Sequence, residues 1–315
     1  MMLSLLGGIF LGWSLGANDA SNVFGSAVAA RMVKFRTAAI LASVFVLLGA
    51  LLEGQAGIET LKGLTPLNLE QAVVSSMAAA VTVTIMTFFS LPVSTSQAVV
   101  GAILGIALLN QNINIPGLGK VVACWIGTPV GGMIISIMIY RVLAFFYNRL
   151  NINLFQADNL LRLSLIGAGS YGAYALGANN VANVTAVFVG AGELTLFSAV
   201  LLGGLSIDLG ILTFSRRVME TVGRRLVRLD PFSALVVLLA EAITVHIYTI
   251  IGVPVSTSQA VIGAVLGVGI IKGISTVERR TLINILFGWF LTPTIAAAIA
   301  LSIYFAIHLR YVPTG

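Results

Sequence analysis

Pro92–Gly105 reads PVSTSQAVVGAILG, and Pro254–Gly267 reads PVSTSQAVIGAVLG. Twelve of the fourteen positions are identical, and the two mismatches only exchange Val with Ile. Each copy sets a proline, three hydroxyls and a glutamine into apolar flanks. Polar groups in such surroundings are costly and mark binding sites.

Those flanks extend over the whole chain. Hydrophobic residues make up 58% and charged residues 9% of 315, with a mean hydropathy of +1.04. A soluble domain carries about 25% charged residues, so the composition describes a polytopic membrane protein. Backbone groups in lipid must be satisfied internally, which predicts an all-α fold. The runs are too long and too uniformly apolar for a membrane β-barrel. The single Cys124 reads as a small core hydrophobe, and His246 and His308 are too far apart for a metal site. Met1–Gly16 lacks a basic n-region and a small-residue cleavage site, so it is expected to be a retained span.

Ten apolar segments follow: Met2–Ala30, Thr37–Leu52, Leu69–Leu91, Val93–Leu109, Leu118–Tyr147, Leu160–Ala191, Leu194–Phe214, Phe232–Gly252, Val255–Ile271 and Leu282–His308. The fourth and ninth are short and begin at the PVSTSQ signature. With an external N-terminus, 14 of the 17 basic residues fall in cytoplasmic connections. That is the positive-inside pattern, and it predicts both termini external. The net charge of +6 is therefore an orientation signal with no nucleic-acid meaning.

The PVSTSQ duplication is one of several. GANDASN at Gly16–Asn22 returns as GANNVAN at Gly177–Asn183, and Glu59-Thr60 returns as Glu220-Thr221, both at an offset of 161. Thr82-Val83 returns as Thr244-Val245 at 162, and Trp125 with Thr128-Pro129 returns as Trp289 with Thr292-Pro293 at 164. Near-constant offsets over the whole length indicate a duplication, residues 1–157 and 158–315. An odd number of crossings per half gives two inverted-topology repeats. With broken or re-entrant helices meeting near the membrane midplane, that is the plan of a secondary transporter.

The motif chemistry fits that plan. Proline suits a first helical position, which would place Ser94, Thr95, Ser96 and Gln97 in the first turn of a helix whose free N–H groups attract an anion. Ser256, Thr257, Ser258 and Gln259 repeat the arrangement. In GANDASN, Gly and Asn are expected to break the helix. Asp19, the amides of Asn18, Asn22, Asn179, Asn180 and Asn183, and the opened carbonyls would then offer hard oxygen ligands to a cation such as sodium. A phosphate dianion beside Asp19 totals about −3, and two helix N-termini offset only about +1. No Lys or Arg lies inside a span except at the ends, so bound cations or protons must supply the remainder.

Asp208 and Glu241 also fall within spans, with Leu47 and Ala79 at their repeat positions. They are candidates for a further cation or proton site. Thr82, Thr84, Thr244 and His246 read as helix-packing residues, and Glu53, Glu59, Glu70 and Glu193 as solvated loop residues. A channel would need charged rings or carbonyl filters, which do not recur here. A serine enzyme would need a base near PVSTSQ in sequence, and there is none.

With these motifs the chain resembles the inorganic phosphate transporter (PiT) family of sodium- or proton-coupled symporters. That family's signature is similar to G-A-N-D-x-A-N in each half, matched by Gly16–Asn22 and less closely by Gly177–Asn183. The PVST segments match its other duplicated element. The resemblance spans essentially the whole chain. It implies a multi-pass plasma-membrane (cell inner membrane) homodimer with transport and scaffold parts, importing inorganic phosphate with sodium. Proton coupling, or transport of sulfate or another tetrahedral oxyanion, is the alternative. It implies phosphate contacts from Asp19, Asn22, Ser94, Thr95, Ser96, Asn180, Asn183, Ser256, Thr257 and Ser258. For sodium it implies Asn18, Asp19, Asn22, Gln97, Asn179, Asn180, Asn183 and Gln259. No cofactor is implied beyond the co-transported sodium ions. One departure stands out: Asn180 occupies a place where many relatives have Asp. The long central cytoplasmic loop of animal members is also absent.

Overall fold

The computed structural model describes residues 4–88, 93–225, 229–273 and 279–309, and every regular element among them is a helix. The first half holds α1 (Leu6–Ala29), α2 (Phe35–Glu53), α3 (Gln55–Lys62), α4 (Leu69–Phe88), α5 (Thr95–Asn110) and α6 (Ile115–Tyr147). The second holds α7 (Leu154–Gly190), α8 (Leu196–Arg225), α9 (Pro231–Ile250), α10 (Thr257–Lys272) and α11 (Arg279–Leu309). Six are long and apolar enough to cross a membrane: α2, α4, α6, α9, Leu196–Met219 of α8 and Leu286–His308 of α11. α1 and α7 are long as well, but their polar motifs lower the hydropathy. α5 and α10 have 16 residues each. At about 24 Å they fall short of the hydrocarbon thickness of about 30 Å. Large apolar side chains such as Ile126, Ile134 and Met138 of α6 and Phe290 of α11 face outward, as lipid contact requires. The protein is a helical multi-pass membrane protein.

The expected break at the Gly-Ala-Asn motifs is absent. α1 runs unbroken through Gly16–Asn22, and α7 runs unbroken through Gly177–Asn183. The glycines serve close approach between helices. A Cβ on Gly16 would lie 1.9 Å from the Ile207 carbonyl oxygen of α8, and one on Gly177 would lie 2.0 Å from that of Val46 in α2. The same geometry recurs for Gly210 on Trp13 and Gly49 on Tyr174, both at 2.0 Å. It recurs again for Gly101 on Pro293 at 2.3 Å and Gly263 on Pro129 at 2.0 Å. Each approach therefore occurs twice, at positions 161–164 residues apart. A helical Gly costs about 1 kcal/mol relative to Ala, which backbone-to-backbone packing offsets in the membrane, where small residues carry helix association. With the helices intact, motif carbonyls remain in the helical ladder rather than opening toward a ligand.

Two antiparallel pairs, α4–α5 and α9–α10, are pinned at their bases. Gln71 Nε2 at the start of α4 donates to Asn110 Oδ1 at the end of α5, 2.9 Å away. At the related base 162 residues on, Asp230 caps α9 by accepting from Ser233 N at 3.0 Å and pairs with Lys272 of α10. One base is a neutral amide network and the other an ion pair. Partial burial pushes the Asp230 carboxyl up, but Lys272 and Ser233 outweigh it and hold the group below its ordinary value. α7 begins at Leu154, earlier than the apolar run suggests, because Asn153 and Gln156 form a reciprocal capping box.

Gly16→Ala or Gly177→Ala should cost about 1–3 kcal/mol by forcing two helices apart. Gly167→Ala, with nothing within 4 Å of its new methyl, should leave the melting temperature in detergent unchanged or raise it. Asp230 binds its proton less tightly in the folded than in the unfolded state. Its contribution is therefore present at neutral pH and lost as pH falls through the depressed value. The melting-temperature gap between wild type and Asp230→Asn should close on acidification.

Candidate functional site

Both PVSTSQ copies begin a helix, three residues later than the proline rule suggests. Ser94 and Ser256 are the N-caps, with extended backbones. Their hydroxyl oxygens accept from Gln97 N and Gln259 N, each at 3.3 Å. A serine oxygen satisfying the third-residue N–H is the favoured way to start a helix, and it moves the first helical residues to Thr95 and Thr257. Pro254 lies two residues ahead of its cap, and Pro92 lies outside the described residues.

The two helix starts face each other. Ser96 Oγ donates to the Val255 carbonyl at 2.9 Å, and Ser258 Oγ donates to the Val93 carbonyl at 3.1 Å. The Asn motifs embrace the opposite copies. Asn183 Nδ2 on α7 donates to Ser96 Oγ of the first copy at 3.0 Å. Asn22 Nδ2 on α1 donates to Thr257 Oγ1 at 2.9 Å and Ser258 Oγ at 3.4 Å, in the second copy. Asp19 sits between them: Thr95 Oγ1 donates to its Oδ2 at 3.5 Å, and the Thr257 hydroxyl approaches the same carboxylate. One position departs from this reciprocity. Asn179 grips the Val255 backbone twice, donating to its carbonyl at 2.8 Å and accepting its N–H at 3.0 Å. Its counterpart Asn18 donates instead to Thr87 Oγ1 at 2.8 Å.

Four oxygens in this cluster are buried with no hydrogen-bond partner: Asp19 Oδ1, Asn183 Oδ1, Gln97 Oε1 and Gln259 Oε1. Their residues are at most 4% exposed. Unpaired buried oxygens are expensive, and hard oxygen donors of this kind suit a small hard cation. Asn180 accepts from Asn183 at 2.8 Å, while its own Nδ2 is unpartnered and can donate to an anion alongside the two helix ends. Glu241 is fully buried, with both oxygens lacking a partner, and lies within electrostatic range of Asp19. Asp208 on α8 is also buried, with Oδ1 unpartnered.

Two side chains read as inert from sequence are engaged. Glu53 closes α2 and lies 2.7 Å from His246 Nε2, rather than being a solvated loop acid. His246 Nδ1 in turn lies 2.7 Å from the Tyr171 hydroxyl. No local pattern signals this cluster, because its members are far apart in the chain and come from three helices. Thr82 and Thr244 bond back to their own helices, at Ala78 O and Ala240 O.

Comparison with known proteins agrees in outline with this architecture. Residues 15–300 match the phosphate transporter family. A protein of Methanocaldococcus jannaschii with the provisional name phosphate permease is 29% identical over 301 residues, covering 96% of each chain. The sulfate permease CysP of Bacillus subtilis is 26% identical, over 95% of this chain and 86% of its own. A solved structure of a sodium-dependent phosphate transporter superposes with a TM-score of 0.89 at 25% identity, covering 98% of both chains.

Ser96→Ala and Ser258→Ala each remove one bond between the helix starts and should lower stability by about 1 kcal/mol, the second by more because the Val255 carbonyl keeps its Asn179 bond. Asn179→Ala strands the buried Val255 N–H, while the carbonyl keeps its Ser96 bond, so thermal melts should show a larger loss, about 1–3 kcal/mol.

Proposed function

The chain belongs to the phosphate transporter family, and we propose that it imports inorganic phosphate in symport with sodium. It is a transporter rather than an enzyme. The observation that carries the reading is the set of unpartnered oxygens beside two opposed helix N-termini, with Asp19 between them. Phosphate docks on the N–H groups and hydroxyls of Ser94–Ser96 and Ser256–Ser258, with Asn22, Asn180 and Asn183 donating from the flanks. Sodium ions take Asp19 and the amide oxygens of Asn18, Asn179, Asn183, Gln97 and Gln259. Asp208 and Glu241 are further cation or proton sites.

Charge balance supplies the coupling. The phosphate dianion, Asp19 and a charged Glu241 together carry about −4, against about +1 from the helix ends. The anion therefore enters only with cations or protons. Sodium is supported by the oxygen-only donor set and by likeness to a sodium-dependent transporter. The paired glycine approaches and the crossed Asn–Ser bonds support two inverted repeats, residues 1–157 and 158–315, with the site between them. Alternating access then follows as one repeat rocks against the other.

Sulfate transport is a second reading, favoured by the likeness to CysP. Neither hydroxyls nor amides distinguish two tetrahedral oxyanions that both accept hydrogen bonds.

Proteoliposomes holding the purified protein test both. Labelled phosphate uptake should follow an imposed sodium gradient and collapse when choline replaces sodium at fixed pH. Unlabelled sulfate in excess should compete weakly; strong competition selects the second reading. Asp19→Asn should reduce coupled uptake at least about a hundredfold in a protein that still folds; full activity would overturn the site.

A further inference from the structure

The two halves treat the site alike, yet one column of side chains beside it is ionisable in only one half. On α7 and α9 it holds Tyr171, Glu241 and His246, and it ends at Glu53 of α2. At the positions 161 or 162 residues away stand Phe10, Ala79, Thr84 and Phe214. None of those four titrates. Packing is kept where chemistry is not: Trp13 packs at a tilt against Phe214, ring centroids 5.5 Å apart, in one half, where Tyr174 approaches Glu53 in the other.

The column is nearly continuous. Glu53 lines an open cleft of about 410 Å³ with Leu52, Gln55, Ala56, Glu59 and Thr249. Its Oε2 lies 2.7 Å from His246 Nε2, and the imidazole's Nδ1 lies 2.7 Å from Tyr171 Oη. The neighbouring Gly172 faces Glu241 directly: a Cβ built there would lie 3.4 Å from Glu241 Oε2. Tyr171 is within electrostatic range of Glu241, and Glu241 of Asp19.

We propose that Glu53, His246 and Tyr171 form a proton relay joining the cleft to Glu241 beside the substrate site. The proposal rests on the symport reading above, to which it adds the route of one proton. Glu53 starts as the acid, hands its Oε2 proton to His246 Nε2, and regains a proton from cleft water on its other oxygen. The imidazole releases its Nδ1 proton to the Tyr171 oxygen. The tyrosine's own proton leaves through water to the Glu241 carboxylate, which becomes neutral. One proton enters and one is received. Each 2.7 Å bond holds one proton before and after, and only the histidine tautomer and the hydroxyl direction must reset.

The other titratable groups around this column leave it free to act. Tyr174 of α7 packs against His246 with ring centroids 5.7 Å apart. Glu59 of α3 is paired with Lys62 at 2.6 Å. Lys120 of α6 donates to the Ile251 carbonyl at 3.1 Å, and Tyr248 on α9 sets its hydroxyl against Gly127 of α6. Asp19 of α1 is the charge that Glu241 meets inside.

Net uptake requires Glu241 to take up and release its proton in every cycle, whereas exchange of internal for external phosphate does not. The full-length protein in proteoliposomes at saturating sodium separates the two. Tyr171→Phe, which keeps the ring, and His246→Gln should slow net labelled-phosphate uptake about tenfold or more and flatten its pH profile. Both should leave phosphate–phosphate exchange and sodium-dependent phosphate binding at wild-type levels. Net uptake at the wild-type rate with an unchanged pH profile in both variants overturns the relay, as does a loss of exchange in step with net uptake. A wild-type protein that takes up no phosphate under any cation gradient overturns the symport reading itself.

Discussion

Two helices of this protein start head to head inside a membrane protein, and each start carries about half a positive charge. Like ends brought together in a medium of low dielectric repel, so the arrangement needs a counter-charge and a fastening. Asp19 supplies the first, approached by Thr95 from one copy and Thr257 from the other. Ser96 and Ser258 supply the second, each bonding to the backbone of the opposite copy. Much of the remaining structure serves to hold these two starts in place.

That service shows in the glycines. α1 can bring Asp19 and Asn22 to the second copy only by lying against α8, and α7 can bring Asn183 to the first only by lying against α2. Both crossings are at backbone contact through Gly16 and Gly177. α5 and α10 are set against α11 and α6 in the same way, through Gly101 and Gly263. A larger residue at any of these points would displace a helix that carries part of the site.

Symmetry also makes the exceptions informative. The hairpin bases differ, amide network against ion pair, and so do Asn18 and Asn179. The greatest difference is the column from Glu53 to Glu241, whose counterparts in the other half are apolar or aliphatic hydroxyl. The two related motifs thus have different titratable neighbours, which a repeated sequence acquires only where its copies have diverged.

The sequence alone determined that the chain lies in a membrane and that its polar PVSTSQ and GAN motifs each recur. Hydropathy, constant offsets and misplaced polar residues are local properties, and Asp19, the Asn residues and the hydroxyls could be named from them. The tertiary structure decided which motif meets which copy, because every crossed bond joins residues more than 75 apart in the chain. It decided that α1 and α7 stay helical, since Gly16 and Gly177 are equally suited to breaking a helix and to admitting another, and only the neighbouring backbone selects. It also decided the partners of Glu53 and His246. An acid at a helix end reads as solvated until a third helix brings an imidazole to within 2.7 Å of it.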